Sequence, residues 1–335
     1  MQTKLTSAPP WPVAPCPVVL VGPTATGKTA TAIALASSLN GEIVNADSMQ
    51  VYRGMDIGTA KPTPDEQRAV PFHLLDVVSP DYPFSVAEWK VRAEHAIADI
   101  AARGRRPIIC GGTGMYIRAL LYDWSLAETP ADATVRRQLE MQARQEGTRL
   151  LYARLQEVDP VTAQRLHPND AVRIIRALEV FMVTGKPLSF YRERDTRTWP
   201  SRQAVHIGLT MPRALLYRRI EERADRMIQS GWVAEVQHLL DQGYTPDLAP
   251  MQSLGYKEIV QHLQGAMDLD TAIACIKQNT RRFAKRQMTW FRADPHITWF
   301  DVTDLAPQSI VERLCAFIHS SGCPSAGRTT GSPAG

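Results

Sequence analysis

The sequence contains no apolar run long enough to cross a bilayer as a helix. Its N-terminal stretch, MQTKLTSAPPWPVAPC, is interrupted by proline too often to form the apolar segment of a signal peptide. Both observations argue against a protein that resides in a membrane. We therefore expect a cytoplasmic protein with no membrane partner.

Cysteine is sparse and follows no recognisable pattern. The five cysteines are odd in number and lack the paired spacing of metal ligands. This distribution favours neither a disulfide framework nor a zinc site, and it predicts ordinary reduced thiols. The five residues are Cys16, Cys110, Cys275, Cys315 and Cys323.

A large excess of charge of one sign is also lacking, because the net charge of the 335-residue chain is only +4. This mild excess permits a nucleic-acid partner without arguing for one. Hydrophobic residues make up 44% of the chain, which is enough to bury a full core. A chain of this length and composition favours one large domain with a smaller one beside it.

Short apolar runs alternate with helical patterns, which is typical of an α/β fold with a parallel sheet. Helices are predicted over residues 29–39 and 86–103 and across most of 212–292. The predicted strands are residues 17–21, 42–46, 73–78, 107–110, 206–209 and 297–301.

Residues 129–197 separate two groups of predicted strands and contain no convincing strand themselves. They are rich in Arg, Gln and Glu at helical spacing, which predicts an all-helical insertion. We therefore expect a flexible N-terminus over 1–14, a discontinuous sheet domain over 15–125 and 200–318, and a helical insertion over 126–199. The tail, residues 319–335, has little to bury, which predicts disorder.

The string GPTATGKT matches the phosphate-binding pattern G-x-x-x-x-G-K-[ST] and lies between a predicted strand and a predicted helix. Backbone amides and the helix N-terminus would hold phosphate oxygens, while Lys28 neutralises charge and Thr29 binds Mg²⁺. The alternative is a glycine-rich turn with an exposed lysine. The residues of this phosphate loop are Gly22, Pro23, Thr24, Ala25, Thr26, Gly27, Lys28 and Thr29.

A phosphate loop alone most often indicates a nucleotide-binding enzyme, either ATP-binding or GTP-binding, so the motifs that accompany it must decide. A kinase or NTPase usually adds an aspartate at the end of an apolar strand to support Mg²⁺. Asp76, in FHLLDVV, is one candidate, but the strand PIIC continues into GGTGMY without an acid. Two alternatives stay open: a small-molecule kinase, and an RNA-binding protein whose phosphate loop is vestigial.

Asp47 follows the second predicted strand, which we expect to lie beside the strand before the phosphate loop. Active sites of open α/β sheets lie at such strand ends. The alternative for Asp47 is a cap of a turn or helix beside Ser48.

Six segments together resemble the tRNA dimethylallyltransferases, also called tRNA isopentenyltransferases. The resemblance extends from about residue 18 to residue 300. The segments, in order, are GPTATGKT, DSMQVYRGMDIGTAKP, GGTGMYIRALL, HPNDAVRIIRALEV, SLGYKE and AKRQMTWFR.

The resemblance implies a P-loop kinase-like parallel sheet with flanking helices and a helical insertion that clamps the anticodon stem-loop of tRNA. The implied reaction transfers a dimethylallyl group from dimethylallyl diphosphate to N6 of adenosine 37 in tRNA, and diphosphate leaves. Mg²⁺ is the implied cofactor, and we expect a monomer.

Three residues carry the implied chemistry. Asp47 would accept the proton of the attacking amine, and Thr24 resembles a family threonine near the bridging oxygen of the diphosphate. Arg223 falls on the apolar face of a predicted helix with Leu216 and Ile220, so its guanidinium should meet an anion. From the pattern alone that anion is either an internal carboxylate or the diphosphate, and the resemblance favours the diphosphate.

The remaining positions that resemble family contacts are assigned to tRNA, since the target base must leave the anticodon loop and enter a pocket. Gln252 departs from the family, which often has arginine there, so its contact is in doubt. The basic and aromatic segment near residue 285 has an ordinary amphipathic surface helix as its alternative. The predicted tRNA contacts are Asp47, Ser48, Met49, Gln50, Thr113, Ala171, Val172, Arg173, Ile174, Ile175, Gln252, Gly255, Tyr256, Lys257, Arg281, Lys285 and Arg286.

Overall fold

The computed structural model describes residues 10–12, 14–122, 132–194, 200, 202–303 and 307–322. Most of the predicted flexible N-terminus and most of the predicted disordered tail lie outside these residues. The last described helix continues to Ser320, so His319 and Ser320 are helical and the predicted tail begins too early.

A six-stranded parallel sheet forms the centre of the larger part of the chain. Its spatial order is β3-β2-β4-β1-β5-β6. The central strands are continuous apolar runs because both faces of the sheet are covered, and every residue of β1 is buried. The strands are β1 (Val18–Val21), β2 (Gly41–Asn45), β3 (Phe72–His73), β4 (Arg106–Cys110), β5 (Val205–Thr210) and β6 (Thr298–Asp301).

Strand order corrects one prediction. β2 pairs with β4, and β1 pairs with β4 and β5, so the strand that leads to Asp47 does not neighbour the strand before the phosphate loop. The connection from β1 to β2 skips one strand position in the sheet, and β4 occupies that position. Apolar runs predict strands but contain no information about their lateral order.

The predicted strand over 73–78 is also wrong beyond its first residue. β3 ends at His73, and Leu74 and Asp76 have φ of 65° and 53°, which is incompatible with a strand. The carboxylate of Asp76 lies 2.5 Å from Nζ of Lys61, whose side chain is 3% exposed. Asp76 therefore stabilises a loop and does not occupy the strand end of a nucleotide-hydrolysing site.

The chain divides into two compact units, and the first comprises residues 1–120 and 202–335. The helices α1 and α14 contact each other, and α10, α12 and α13 form a second packed group. The helices outside the insertion are α1 (Lys28–Ser38), α2 (Pro64–Ala69), α3 (Val86–Ala102), α4 (Gly114–Leu121), α10 (Arg213–Gln229), α11 (Trp232–Asp241), α12 (Tyr256–Leu263), α13 (Leu269–Arg292) and α14 (Pro307–Ser320).

The second unit comprises residues 121–201, and its described residues contain helices and no strand. Its apolar core includes Leu139, Leu155, Ile174 and Leu178, all at most 1% exposed. The helices are α5 (Ala133–Glu146), α6 (Thr148–Val158), α7 (Pro160–Ala163), α8 (Ala171–Thr184) and α9 (Leu188–Arg194).

Cys16 is disulfide-bonded, so the prediction that all five cysteines are reduced thiols is wrong for this residue. Cys110, Cys275 and Cys315 are free, as predicted. Among the described residues no helix is both long and apolar enough to cross a membrane.

Two buried titratable groups predict acid lability of the fold. Burial lowers the pKa of His206 in β5 to about 4, and its neighbour His296 lowers it further while Asp294 raises it. A hydrogen bond from Arg103 lowers the pKa of Glu42 to about 2. The unfolded chain therefore binds more protons than the fold as the pH falls below the ordinary values of these groups.

We expect the free energy of unfolding to fall as pH drops from about 6.5 to 4, by roughly 2–3 kcal/mol from His206, with a further loss from Glu42 below about pH 4.5. Urea unfolding at several pH values measures this. His206→Gln should remove most of the slope between pH 6.5 and 4. An unchanged slope in that variant would contradict the assignment.

Candidate active site at the phosphate loop

The phosphate loop joins β1 to α1 through backbone that only particular residues tolerate. Gly22 has φ of 147°, and a Cβ atom there would lie 2.6 Å from the carbonyl oxygen of Leu209. Gly27 has φ of 85° immediately before α1 begins at Lys28. The glycines of the motif are thus required by a left-handed backbone and by close packing against β5.

Side chains brace the loop from within. The Thr26 hydroxyl donates to the carbonyl oxygen of Pro23 at 2.8 Å, and Nζ of Lys28 donates to the same oxygen at 2.8 Å. Lys28 is therefore not the exposed lysine of an ordinary glycine-rich turn.

Burial lowers the pKa of Lys28 to about 8, with the nearby Arg223 lowering it further and Asp47 raising it. Below Lys28, burial raises the pKa of the Cys110 thiol to about 12, so this neighbour stays neutral. Lys28 and Arg223 are two partly desolvated cations with one carboxylate nearby. Such an excess of buried positive charge favours binding of an anion.

The hydroxyls of the loop differ in their partners. Thr26 and Thr31 donate to backbone carbonyl oxygens, whereas the Thr29 hydroxyl has no hydrogen-bond partner among the residues that the structure describes. No group of three or more His, Cys, Asp or Glu side chains suited to a metal ion occurs in the described ranges. The Thr29 hydroxyl is therefore available as one oxygen ligand of a Mg²⁺ ion, which would take its other oxygen ligands from phosphate and water.

Asp47 lies just beyond the C-terminal end of β2. One carboxylate oxygen, Oδ1, accepts from the backbone N–H of Met49 at 2.9 Å, and the Asp47 N–H donates to Oδ1 of Asn45 at 3.1 Å. The predicted turn-capping role is thus real, but it uses only one oxygen. The other oxygen has no hydrogen-bond partner within the described part of the chain, and Asp47 lines a cavity.

Thr113 connects the loop after β4 to the loop after β2. Its Oγ1 accepts from the N–H of Ser48 at 2.9 Å and donates to Oγ of Ser48 at 3.2 Å. Its own N–H donates to the carbonyl oxygen of Ala46 at 3.1 Å. These bonds hold the backbone on both sides of Asp47.

A cavity of about 380 Å³ lies beside these loops. Its polar lining includes Thr24, Asp47, Thr113 and Arg223, so residues predicted as catalytic share one chamber. The rest of its lining is largely apolar, which suits a ligand with a charged end and a hydrocarbon part. The apolar residues include Ile220, Ala224, Met227, Ile276 and Phe283.

Arg223 projects from α10 on the face that buries Leu216 and Ile220, as the helical spacing predicts. Its Nη1 donates to Oγ1 of Thr24 at 3.4 Å. Burial lowers the pKa of Arg223, and the Asp47 charge opposes this. No carboxylate of the described residues forms an ion pair with it, which favours an external anion over an internal salt bridge.

The predicted RNA contacts on α13 fall into different environments. Arg281 forms an ion pair with Glu221, whereas Lys285 is exposed. Arg286 lines the cavity, and its guanidinium carbon lies 5.8 Å from the ring centre of Phe283. Lys285 and Arg286 are therefore both exposed, and Arg286 also lines the cavity.

Several other predicted contacts have clear structural roles. Gln50 donates to the carbonyl oxygens of Thr59 and Ala60 at 3.0 and 3.1 Å, and Gln252 donates to that of Pro246 at 2.6 Å. Met49 lines the cavity, and Lys257 is exposed.

Gly255 and Tyr256 are set by packing. A Cβ on Gly255 would lie 2.0 Å from the Trp232 ring, and Tyr256 is 1% exposed with its hydroxyl donating to Glu235 at 2.6 Å. Burial raises the pKa of Tyr256 strongly, and the adjacent Glu235 adds to this. Gly255 and Tyr256 therefore pack against residues beside the cavity, and Tyr256 is itself one of the lining residues.

The predicted tRNA segment 171–175 is the first turn of α8. Ile174 and Ile175 are buried in the core of their unit, so their side chains do not face a partner. Val172 is 80% exposed, and Arg173 is exposed and pairs with Asp170 at 2.9 Å. Only the exposed part of this turn, with Ala171 at its start, is available for RNA.

Two residues at the site are absent from the sequence-based prediction. Gln287, on α13, accepts from the Thr24 N–H at 2.8 Å and donates to the carbonyl oxygen of Gly112 at 3.0 Å. Glu235 accepts from the N–H groups of Asp56, Ile57 and Gly58. A polar residue on the buried face of an amphipathic helix, between Ala284 and Phe291, is the one sequence signal that marks Gln287.

Comparison with known families gives the same assignment as the six segments. The protein-family model described as IPP transferase matches residues 50–294, and the family model described as isopentenyl transferase matches residues 17–76. A tRNA dimethylallyltransferase of Geobacter metallireducens is 53% identical over 302 residues, covering 90% of this chain and 97% of that protein. One of Carboxydothermus hydrogenoformans is 50% identical over 297 residues, covering 89% and 95%.

Solved structures confirm the predicted P-loop kinase-like fold. A full-length tRNA isopentenylpyrophosphate transferase of Bacillus halodurans has a TM-score of 0.69 and 42% identity, covering 91% of this chain and 96% of that one. A eukaryotic dimethylallyltransferase, captured acting on tRNA, has a TM-score of 0.75 and 27% identity, covering 93% and 81%.

Proposed function

Because this chain belongs to the tRNA dimethylallyltransferase family, it is a transferase that modifies tRNA, and we propose that it joins the dimethylallyl group of dimethylallyl diphosphate to N6 of adenosine 37. The products are the N6-dimethylallyl nucleoside and diphosphate. The observation that carries the proposal is one cavity whose lining includes Thr24, Arg223 and Asp47 together with an apolar wall.

The proposed reaction needs a general base, because the exocyclic amine of adenine is a weak nucleophile and must lose a proton as it attacks. The exocyclic amine of adenine attacks the allylic carbon with its lone pair, the carbon–oxygen bond breaks, and its electron pair leaves on the diphosphate. The amine proton passes to the carboxylate oxygen of Asp47 that has no partner among the described residues, while the other oxygen remains on the Met49 N–H.

The leaving group gains charge as the bond breaks, so fixed positive charge accelerates departure. Lys28, Arg223 and the amides of the phosphate loop would provide this charge, and the Thr24 hydroxyl would donate a hydrogen bond to the leaving oxygen. Thr29 would hold a Mg²⁺ ion, which would neutralise further charge on the diphosphate.

The RNA partner is proposed to be the anticodon stem-loop, with the target base turned into the cavity. Arg286 lines the cavity and Lys285 is exposed beside it, so phosphate contacts and base entry would share α13. Phe283 and Trp290 are 37% and 40% exposed on the same helix and offer rings for stacking.

Incubation with radiolabelled dimethylallyl diphosphate, tRNA and Mg²⁺ tests the proposal against its alternatives. We expect label to enter tRNA in amounts equal to the diphosphate released, with no consumption of ATP. Consumption of ATP with unlabelled tRNA would indicate a small-molecule kinase. Tight tRNA binding without any turnover, unaffected by Lys28→Ala, would indicate an RNA-binding protein.

Arg223→Met should weaken binding of inorganic diphosphate by about tenfold and lower kcat by roughly a further tenfold, because a desolvated charge-assisted contact is lost. Calorimetry and steady-state rates measure these effects. Arg226→Met is the matched control, since Arg226 is exposed on the same helix. Equal behaviour of the two variants would indicate that Arg223 serves the fold alone.

A further inference from the structure

α13 contacts the loop after β4 at distances that only glycine allows. A Cβ on Gly112 would lie 2.3 Å from Nε2 of Gln287, and a Cβ on Gly114 would lie 2.2 Å from the Trp290 ring. Each glycine thus faces one large side chain of α13, Gly112 facing Gln287 and Gly114 facing Trp290. The two side chains are about one helical turn apart. A shift of either the loop or the helix alone would disrupt these contacts.

Gln287 is 6% exposed, and its amide group satisfies two backbone groups from separate parts of the chain. It accepts from the N–H of Thr24 in the phosphate loop and donates to the carbonyl oxygen of Gly112. It is not among the residues that line the cavity. Any effect on a ligand therefore passes through the loops that it holds.

The loop held at Gly112 in turn holds the backbone around the proposed base. Thr113, the next residue, donates its N–H to Ala46 and accepts from the N–H of Ser48. These two bonds flank Asp47. A continuous set of hydrogen bonds thus runs from Thr24 through Gln287 to the backbone on either side of Asp47.

We propose that Gln287 is a positioning residue for transfer, fixing the distance between the leaving-group side of the site at Thr24 and the proton acceptor at Asp47. The inference rests on the proposed function. Displacement at the allylic carbon requires the amine and the departing oxygen on opposite sides of that carbon, so an error of about 1 Å between the two loops lowers the rate severely. Ground-state binding of either substrate depends less on that distance.

The first test is Gln287→Met, which keeps the length of the side chain and removes both hydrogen bonds. We expect kcat to fall roughly 30- to 100-fold, with the KM for dimethylallyl diphosphate and the Kd for tRNA each changed by less than about threefold. Gln278→Met, at an exposed position of the same helix, is the matched control and should leave kcat unchanged. A normal kcat in Gln287→Met would overturn the inference.

The second test is Gln287→Glu and depends on pH. An ionised carboxylate accepts from the Thr24 N–H but cannot donate to Gly112, whereas the protonated acid does both. Burial favours the protonated form. The rate of this variant relative to the unaltered enzyme should therefore rise several-fold as pH is lowered from 8 to 6, and a flat ratio would overturn the inference even if Gln287→Met fails to fold.

The unaltered enzyme separates this inference from the proposed function. If it moves no label to tRNA, the proposed function fails. If it transfers label, and Gln287→Met loses only thermal stability at a normal kcat, the proposed function stands and Gln287 is merely a satisfied core amide.

Discussion

Asp47→Asn is expected to lower the rate of transfer to tRNA by roughly a thousandfold while leaving the Kd for tRNA within about twofold of normal. The amide retains an oxygen that can accept from the Met49 N–H, so the turn after β2 should persist. What it cannot do is take the proton of the attacking amine. Single-turnover rates with saturating donor, together with filter binding of tRNA, measure the two quantities separately.

Asp81→Asn is the matched control for this variant, because Asp81 is an exposed carboxylate outside the cavity. Its transfer rate should be unchanged. Retention of a near-normal rate by Asp47→Asn would remove Asp47 from the mechanism. A parallel loss of tRNA binding would instead assign the carboxylate to RNA recognition.

Lys28→Met should lower kcat/KM for dimethylallyl diphosphate by a similar factor, roughly a thousandfold, because in the proposed reaction the Lys28 charge would stabilise the departing diphosphate most strongly as the bond breaks. Steady-state rates at varied donor concentration and saturating tRNA measure this. Lys28→Arg is the informative control, since it keeps the charge but replaces a compact ammonium with a planar fork in a braced loop. We expect it to recover only part of the loss.

The lowered pKa of Lys28 also predicts a pH dependence. The group is charged below about pH 8 and neutral above it, so kcat/KM for the donor should decline as pH rises through about 8. Bound diphosphate favours the charged form, so kcat itself should decline only at higher pH. An unaltered enzyme with a flat profile of kcat/KM up to pH 9.5 would contradict the role of Lys28.

Much of the fold follows from the sequence because buried parallel strands are continuous apolar runs. The prediction of 17–21 against an observed Val18–Val21 shows how well such runs define strands. The prediction fails at 73–78, where positive φ at Leu74 and Asp76 turns an apolar run into a loop. Lateral strand order was inaccessible, since the position of β4 between β1 and β2 depends on crossovers that no local pattern encodes.

The candidate site likewise contains residues that local sequence patterns predict and residues that they do not. The phosphate loop is predictable because its chemistry needs consecutive residues, and Arg223 is predictable because a cation on an apolar face needs an anion. The contribution of Gln287 could not be predicted from the sequence, because its two hydrogen-bond partners lie 263 and 175 residues away along the chain. Burial of Ile174 beside the exposed Val172 likewise depends on how the insertion packs around its own core.

The central claim is that the phosphate loop holds the diphosphate of a dimethylallyl donor while Asp47 activates an adenine amine of tRNA. Nucleoside analysis of tRNA from cells that lack this protein tests it most directly. We predict that N6-dimethylallyl adenosine is missing, returns with the unaltered gene and does not return with Asp47→Asn. Normal amounts of this nucleoside in the deleted cells would contradict the account.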